Sequence, residues 1–250
     1  MLTELFGEFL GTAILILLGN GVVANVNLKN TIGHNSGWIV ITTGWALAVF
    51  CAVFMTADLS GAHLNPAVTI GLAVANHFAW GKVVPFILAQ MAGAMAGAFL
   101  VYLFYRDHFK ITTALGMKRA CFCTSPAIPN KLNNFFSEMV GTFVLVLGVL
   151  LVTVPQFELG GVDATKVGLG SLGAMPVALV VFVIGLSLGG TTGYAINPAR
   201  DLGPRIVHAL LPLNAKDDGG WNYSWIPVLA PIAGSILAAL VYAIIVFLLQ

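Results

Sequence analysis

Ser60-Gly61-Ala62-His63-Leu64-Asn65-Pro66-Ala67 and Gly193-Tyr194-Ala195-Ile196-Asn197-Pro198-Ala199-Arg200 are the two stretches that decide the fold. Each carries a glycine-containing, irregular run into an Asn-Pro-Ala triplet. Asparagine is a strong helix N-cap, and proline is favoured at the next position, where its missing N–H costs nothing. Each triplet therefore starts a helix. The apolar runs that follow, Pro66–Asn76 and Pro198–Leu211, hold roughly a dozen residues, or about 18 Å of helix. A bilayer core is about 30 Å thick. A short apolar helix after an extended loop reads as a re-entrant half-span.

Outward from these triplets, six stretches are long and apolar enough to cross a membrane: about 5–25, 38–57, 83–105, 132–153, 171–190 and 225–249. Only the first and fourth contain a charged residue, Glu8 and Glu138. Composition agrees. Hydrophobic types make up 58% of the 250 residues and charged types 8%, against about a quarter charged in soluble domains. A net charge of +1 gives no sign of a nucleic-acid partner. Met1-Leu2-Thr3-Glu4 lacks a basic leader, so the first helix is expected to stay in the protein.

The chain repeats itself. Glu8-Phe9-Leu10-Gly11-Thr12 returns as Glu138-Met139-Val140-Gly141-Thr142, an offset of 130, and Asn65-Pro66-Ala67 returns as Asn197-Pro198-Ala199, an offset of 132. Each half holds three full spans and one half-span. Three is odd, so the second copy enters from the opposite face and the repeat is inverted. The expectation is an all-α membrane protein of six transmembrane helices and two re-entrant half-helices. It forms one domain, 1–250, with repeat one about 1–105, a connecting loop about 106–131 and repeat two about 132–250.

Two features sit awkwardly. With the N-terminus cytoplasmic, the outer loops hold Lys29, Arg106, Lys110, Lys118, Arg119, Lys131 and Lys216, and the inner ones only Lys82 and Lys166. The positive-inside bias points the other way. Cys121 and Cys123 are too close for an ordinary disulfide. A metal site joining them to His108 is weighed and set aside, and neither metal nor cofactor is expected.

If both half-helices begin near mid-membrane, their N-termini face each other. Asn65 and Asn197 then offer amide donors to whatever lies between. The carbonyls of Gly61, Ala62, His63 and Leu64 form an acceptor ladder on one wall. Gly193, Tyr194, Ala195 and Ile196 do the same in the second loop. Irregular backbone is tolerated at this depth only where it lines a cavity or is buried in protein. Loop N–H groups facing away need acceptors, and Glu8 and Glu138 are placed to supply them, although Glu8 could also lie at the headgroup interface. Arg200 has no counterpart in the first repeat, where Val68 stands. Its neighbour Asp201 is poorly placed to pair with it, because adjacent helix residues do not face each other.

These residues resemble the aquaporin (major intrinsic protein) superfamily over essentially the whole chain. The resemblance implies one pore per protomer, four protomers per assembly and a multi-pass location in the plasma or inner membrane. It also places a narrow filter on Trp45, Gly185, Tyr194 and Arg200. Water-selective relatives usually carry histidine where Gly185 stands. Asp201 after Arg200, basic Arg205 and Pro227-Val228 resemble glycerol facilitators, whereas Tyr194 departs from the phenylalanine common there. Gly93 and Gly97, four residues apart, suit close helix packing. The expected function is a passive aquaglyceroporin conducting glycerol and small uncharged solutes with water, excluding ions, with Asp201 beside Glu8 and Glu138 in the loop scaffold. No catalysis is expected. The alternatives are a water-selective pore, an ion-coupled transporter and, more remotely, a structural adhesion role.

Overall fold

A computed structural model describes residues 1–153, 156–157, 165–166 and 168–250. Its helices are α1 (Leu2–Asn27), α2 (Trp38–Ser60), α3 (Pro66–Val74), α4 (Val83–Phe104), α5 (Arg106–Ile111), α6 (Leu115–Ala120), α7 (Lys131–Leu151), α8 (Met175–Ser187), α9 (Pro198–Leu210) and α10 (Ile226–Leu248). Short 3-10 turns precede α4 and α8. Among the described residues, six helical segments are long and apolar enough to span a membrane. They are α1, α2, α4, α7, α8 and α10, with α4 and α8 counted together with their leading turns. The only strands described are the two-residue pair Gln156–Phe157 and Thr165–Lys166.

Glycines fix how closely the spans approach. A Cβ on Gly93 would lie 2.2 Å from the Phe9 carbonyl, and one on Gly97 2.5 Å from that of Ala13. Bare backbone on α4 thus lets α1 pack directly against it. Gly234 does the same between α10 and α7, where an added Cβ would sit 2.2 Å from the Met139 carbonyl. In membranes, where apolar surface alone does not drive helices together, such contacts supply the packing energy.

The half-helices interlock the two repeats. α3 packs on α10 of the second repeat, and α9 packs on α4 of the first. α3 stops at Val74, two residues short of the sequence expectation, because the chain turns through Asn76, whose φ is 61°. The fifth span is shorter than 171–190. Its α-helix covers Met175–Ser187, and residues 188–192 turn beneath Tyr194, where an added Cβ on Gly189 would lie 2.5 Å from Tyr194 Cδ1.

The connecting segment is more ordered than its polar sequence implied. It forms α5 and α6 and buries Phe109 and Phe122 with ring centroids 5.5 Å apart. The unexpected cations on this face have structural uses. Lys118 donates to the Ala215 carbonyl and Lys216 to that of Leu211. Arg119 pairs with Asp217 at 2.7 Å, and Lys110 with Asp107 at 2.7 Å. Three of the seven charges that opposed the orientation rule thus tie the loops on this face together, while the Lys110 pair is local and exposed.

Candidate functional site

The two irregular loops share one backbone pattern. Gly61 and Gly193 have φ of 81° and 80°, Ala62 and Tyr194 of 50° and 39°, and Leu64 and Ile196 of 52° and 43°. Left-handed backbone at a bulky or β-branched residue costs about 1–3 kcal/mol and persists only where its surroundings hold it. Here buried carboxylates do so. The N–H groups of His63 and Leu64 donate to Glu8 at 2.9 and 2.8 Å, and those of Ala195 and Ile196 to Glu138 at 2.9 and 2.8 Å. Glu8 and Glu138 are both fully buried, which takes Glu8 away from the headgroup interface. Glu8 also accepts from Ser60 Oγ and Gln90 Nε2, each at 2.7 Å.

Asn65 and Asn197 cap α3 and α9. Asn65 Oδ1 accepts from the Ala67 N–H at 2.9 Å, and Asn197 Oδ1 from those of Ala199 and Arg200 at 3.0 and 3.2 Å. Pro66 and Pro198 are the first helical residues. The amide groups then cross the pseudo-symmetry axis: Asn65 Nδ2 donates to the Ile196 carbonyl at 2.8 Å, and Asn197 Nδ2 to the Leu64 carbonyl at 2.9 Å. Each NH2 has two hydrogens, so each amide keeps one for the pore. The crossing also modifies the ladder: the Leu64 and Ile196 carbonyls each already accept one bond from the opposite asparagine.

A cavity of about 160 Å³ runs past this point. It is lined by Gly61, Ala62, His63, Leu64, Asn65, Ala195, Ile196 and Asn197 from the two loops, and by the apolar side chains of Val49, Val53, Leu145, Val149, Val177 and Val181 from the spanning helices. A wider vestibule of about 450 Å³ lies beyond, and Gly193 borders it. Trp45, Tyr194 and Arg200 are the residues that line both. These three side chains thus separate the vestibule from the channel.

Arg200 is held there from two sides. Its guanidinium carbon lies 4.2 Å from the Trp45 ring centroid, and Nη1 donates to the Phe122 carbonyl at 3.3 Å. Asn20 Nδ2 donates to that same carbonyl at 3.2 Å. Asp201 does not pair with Arg200. Its Oδ1 receives Arg205 Nη2 at 2.7 Å, and its Oδ2 receives the Thr124 N–H at 2.7 Å. Arg205 goes on to the Thr124 carbonyl at 2.9 Å and to the carbonyls of Gly219 and Gly220. Asp201 therefore ties the connecting segment to α9 rather than supporting a re-entrant loop directly.

Gly185 is placed differently from the sequence expectation. It borders neither cavity. The space that its missing side chain leaves is filled by Tyr194, since an added Cβ would lie 2.8 Å from Tyr194 Cζ and 3.0 Å from its hydroxyl oxygen. Trp38 fixes this corner, with Nε1 donating to the Gly185 carbonyl at 3.0 Å and its ring edge-on to Tyr194 at 5.8 Å. The bulk lost at residue 185 is thus returned by residue 194.

Sequence reading missed Asn20, Trp38, Thr124 and the Phe122 carbonyl. A backbone acceptor carries no side-chain signal, and only the polar Asn20 within an apolar span could have drawn notice. Cys121 and Cys123 are buried, and burial pushes the Cys123 thiol up to about 12, so it stays protonated rather than acting as a thiolate ligand. His108 is half-buried and contacts the Lys29 carbonyl.

The chain is similar to known proteins along nearly its whole length. A sequence profile described as "Major intrinsic protein" matches residues 1–242. A glycerol uptake facilitator protein of Streptococcus pneumoniae is 52% identical over 244 residues, covering 98% of this chain and 100% of that one. A probable glycerol uptake facilitator protein of Thermotoga maritima is 54% identical over 235 residues, covering 94% and 96%. The X-ray structure of the aquaglyceroporin from Plasmodium falciparum superposes with a TM-score of 0.81 at 34% identity, covering 96% and 95%. Mirrored loops, crossed asparagines and full-length similarity converge on one assignment: the chain belongs to the major intrinsic protein family of membrane channels.

Proposed function

We propose that the chain is a passive channel for glycerol and similarly small uncharged solutes, with water, working as a homotetramer with one pore per protomer. The observation that carries this reading is the two-part lining. The re-entrant loops, the two asparagines and Arg200 supply its polar groups, and valine and leucine side chains of the spanning helices supply its apolar surface. A polyol has the same division, with hydroxyls along one edge and C–H groups along the other. Its hydroxyls exchange water for carbonyls and amides, while its carbon backbone passes along the apolar face. The names of the relatives point to the same solute.

Ion exclusion follows from the helix termini. Each N-terminus carries roughly half an elementary positive charge, and α3 and α9 both begin at the asparagine pair. A cation passes Arg200 at the mouth of the channel and then meets two positive ends. An ion of either sign loses a hydration shell that the apolar wall does not replace. Aquaporin-type pores are the standard example of such a barrier.

One observation favours a narrower, water-selective pore: Tyr194 occupies the space beside Gly185. Stopped-flow swelling of proteoliposomes separates the readings. The polyol reading expects both water and glycerol influx well above empty vesicles, without an imposed ion gradient. Water influx with glycerol at the empty-vesicle rate would overturn it.

A further inference from the structure

α9 holds a histidine that lines neither cavity and for which the conduction pathway has no use. His208, near the end of α9, is 1% exposed, and neither ring nitrogen has a hydrogen-bond partner among the described residues. A buried polar group normally has one. The nearest carboxylate is poised but not engaged, with Asp217 Oδ1 4.0 Å from His208 Nε2. That oxygen already accepts the Gly219 N–H at 3.0 Å, and Oδ2 holds Arg119 Nη1 at 2.7 Å. Arg119 borders the vestibule above Arg200, and its Nε is itself unpartnered among the described residues.

The other charged groups facing this ring are Lys216 from the 211–225 loop and Arg205 from α9 itself. Lys216 Nζ reaches the carbonyl of His208, and Arg205 is committed to Asp201. Asp218 lies 3.9 Å from Arg119 but is largely exposed. The Phe122 ring lies 5.4 Å from the imidazole, and its backbone carbonyl is the one that holds Arg200.

The geometry points to His208 as a proton-operated brake on solute influx, acting through Asp217 and Arg119. This rests on the channel reading above. Neutral imidazole leaves Asp217 to Arg119. Imidazolium brings a second cation to the same carboxylate, with the tilted Phe122 ring 5.4 Å away. The hold on Arg119 weakens, and its guanidinium is freed over the vestibule, which becomes narrower. Burial holds the His208 imidazole below the ordinary histidine value, so the ring is neutral at neutral pH and takes up its proton only in acid. Flux therefore falls on acidification and recovers on neutralisation.

The test is glycerol and water swelling of proteoliposomes at matched pH on both faces, at pH 7.5 and pH 5. Wild type should lose at least half its glycerol flux at the lower pH. His208→Gln should keep its pH 7.5 flux and lose the response. Asp217→Asn releases Arg119 at every pH, so its flux should be low at both pH values with no further response to acid, and it serves if the buried substitution fails to fold. His63 is the histidine that lines the channel itself, beyond the asparagine pair. An acid response that survives both variants therefore assigns the effect elsewhere and overturns the proposal, as does a wild type indifferent to pH. If glycerol is excluded at both pH values, the polyol reading fails instead, and the pH ratio of water flux still reads the histidine.

Discussion

At the scale of single residues, this pore depends on side chains that occupy one another's places. Gly185 leaves a space and Tyr194 takes it. Gly185→His therefore does more than add a ring, because it evicts the tyrosine and crowds Arg200. Stopped-flow rates should show glycerol flux falling several-fold more than water flux, and equal losses would contradict the filter proposed here. The buried carboxylates allow a second test. Glu138 accepts two adjacent N–H groups, one on each oxygen. In Glu138→Gln only one oxygen remains, so one N–H of a left-handed loop goes unpaired, at about 1–3 kcal/mol. The thermal unfolding midpoint in detergent should drop and flux should fall with it. A variant as stable and as conductive as the parent would show that the carboxylate does not hold the loop.

At the scale of elements, the decisive contacts are between backbones. Gly93→Ala would drive a methyl group into the Phe9 carbonyl at 2.2 Å, so α1 and α4 must separate. Overpacking of this kind costs about 1–3 kcal/mol. Gly21→Ala, which meets no atom within 4 Å, should leave the unfolding midpoint unchanged or raise it slightly, since alanine favours helix. Similar destabilisation by both would contradict close α1–α4 packing as the reason for Gly93. Much of this level was legible in the sequence. Spans declared themselves by length, and the half-helices by Asn-Pro followed by too few apolar residues to cross. What sequence could not give was the order inside 106–131. Neither six-residue helix there is long enough to show a periodicity, and both depend on burying Phe109 and Phe122.

At the scale of the whole molecule, two polypeptide halves close one pathway by bonding crosswise. Asn65 reaches Ile196 and Asn197 reaches Leu64 across more than half the chain. The repeat made this meeting legible, because a motif that returns inverted must face its copy. Trp45, Tyr194 and Arg200 were placed by resemblance, and the two cavities share them. The Phe122 carbonyl and Asn20 were invisible for the opposite reason, since they act through unique long-range contacts that no repeat duplicates. The central claim is that two half-helix N-termini meeting at the asparagine pair pass neutral solutes and refuse cations. Its most direct test is one set of proteoliposomes in which glycerol swelling and dye-reported proton leak are recorded together. Rapid glycerol influx with proton leak no greater than in empty vesicles is the expected result. Proton leak that rises with the glycerol flux, or glycerol influx that needs an imposed proton or sodium gradient, would contradict it.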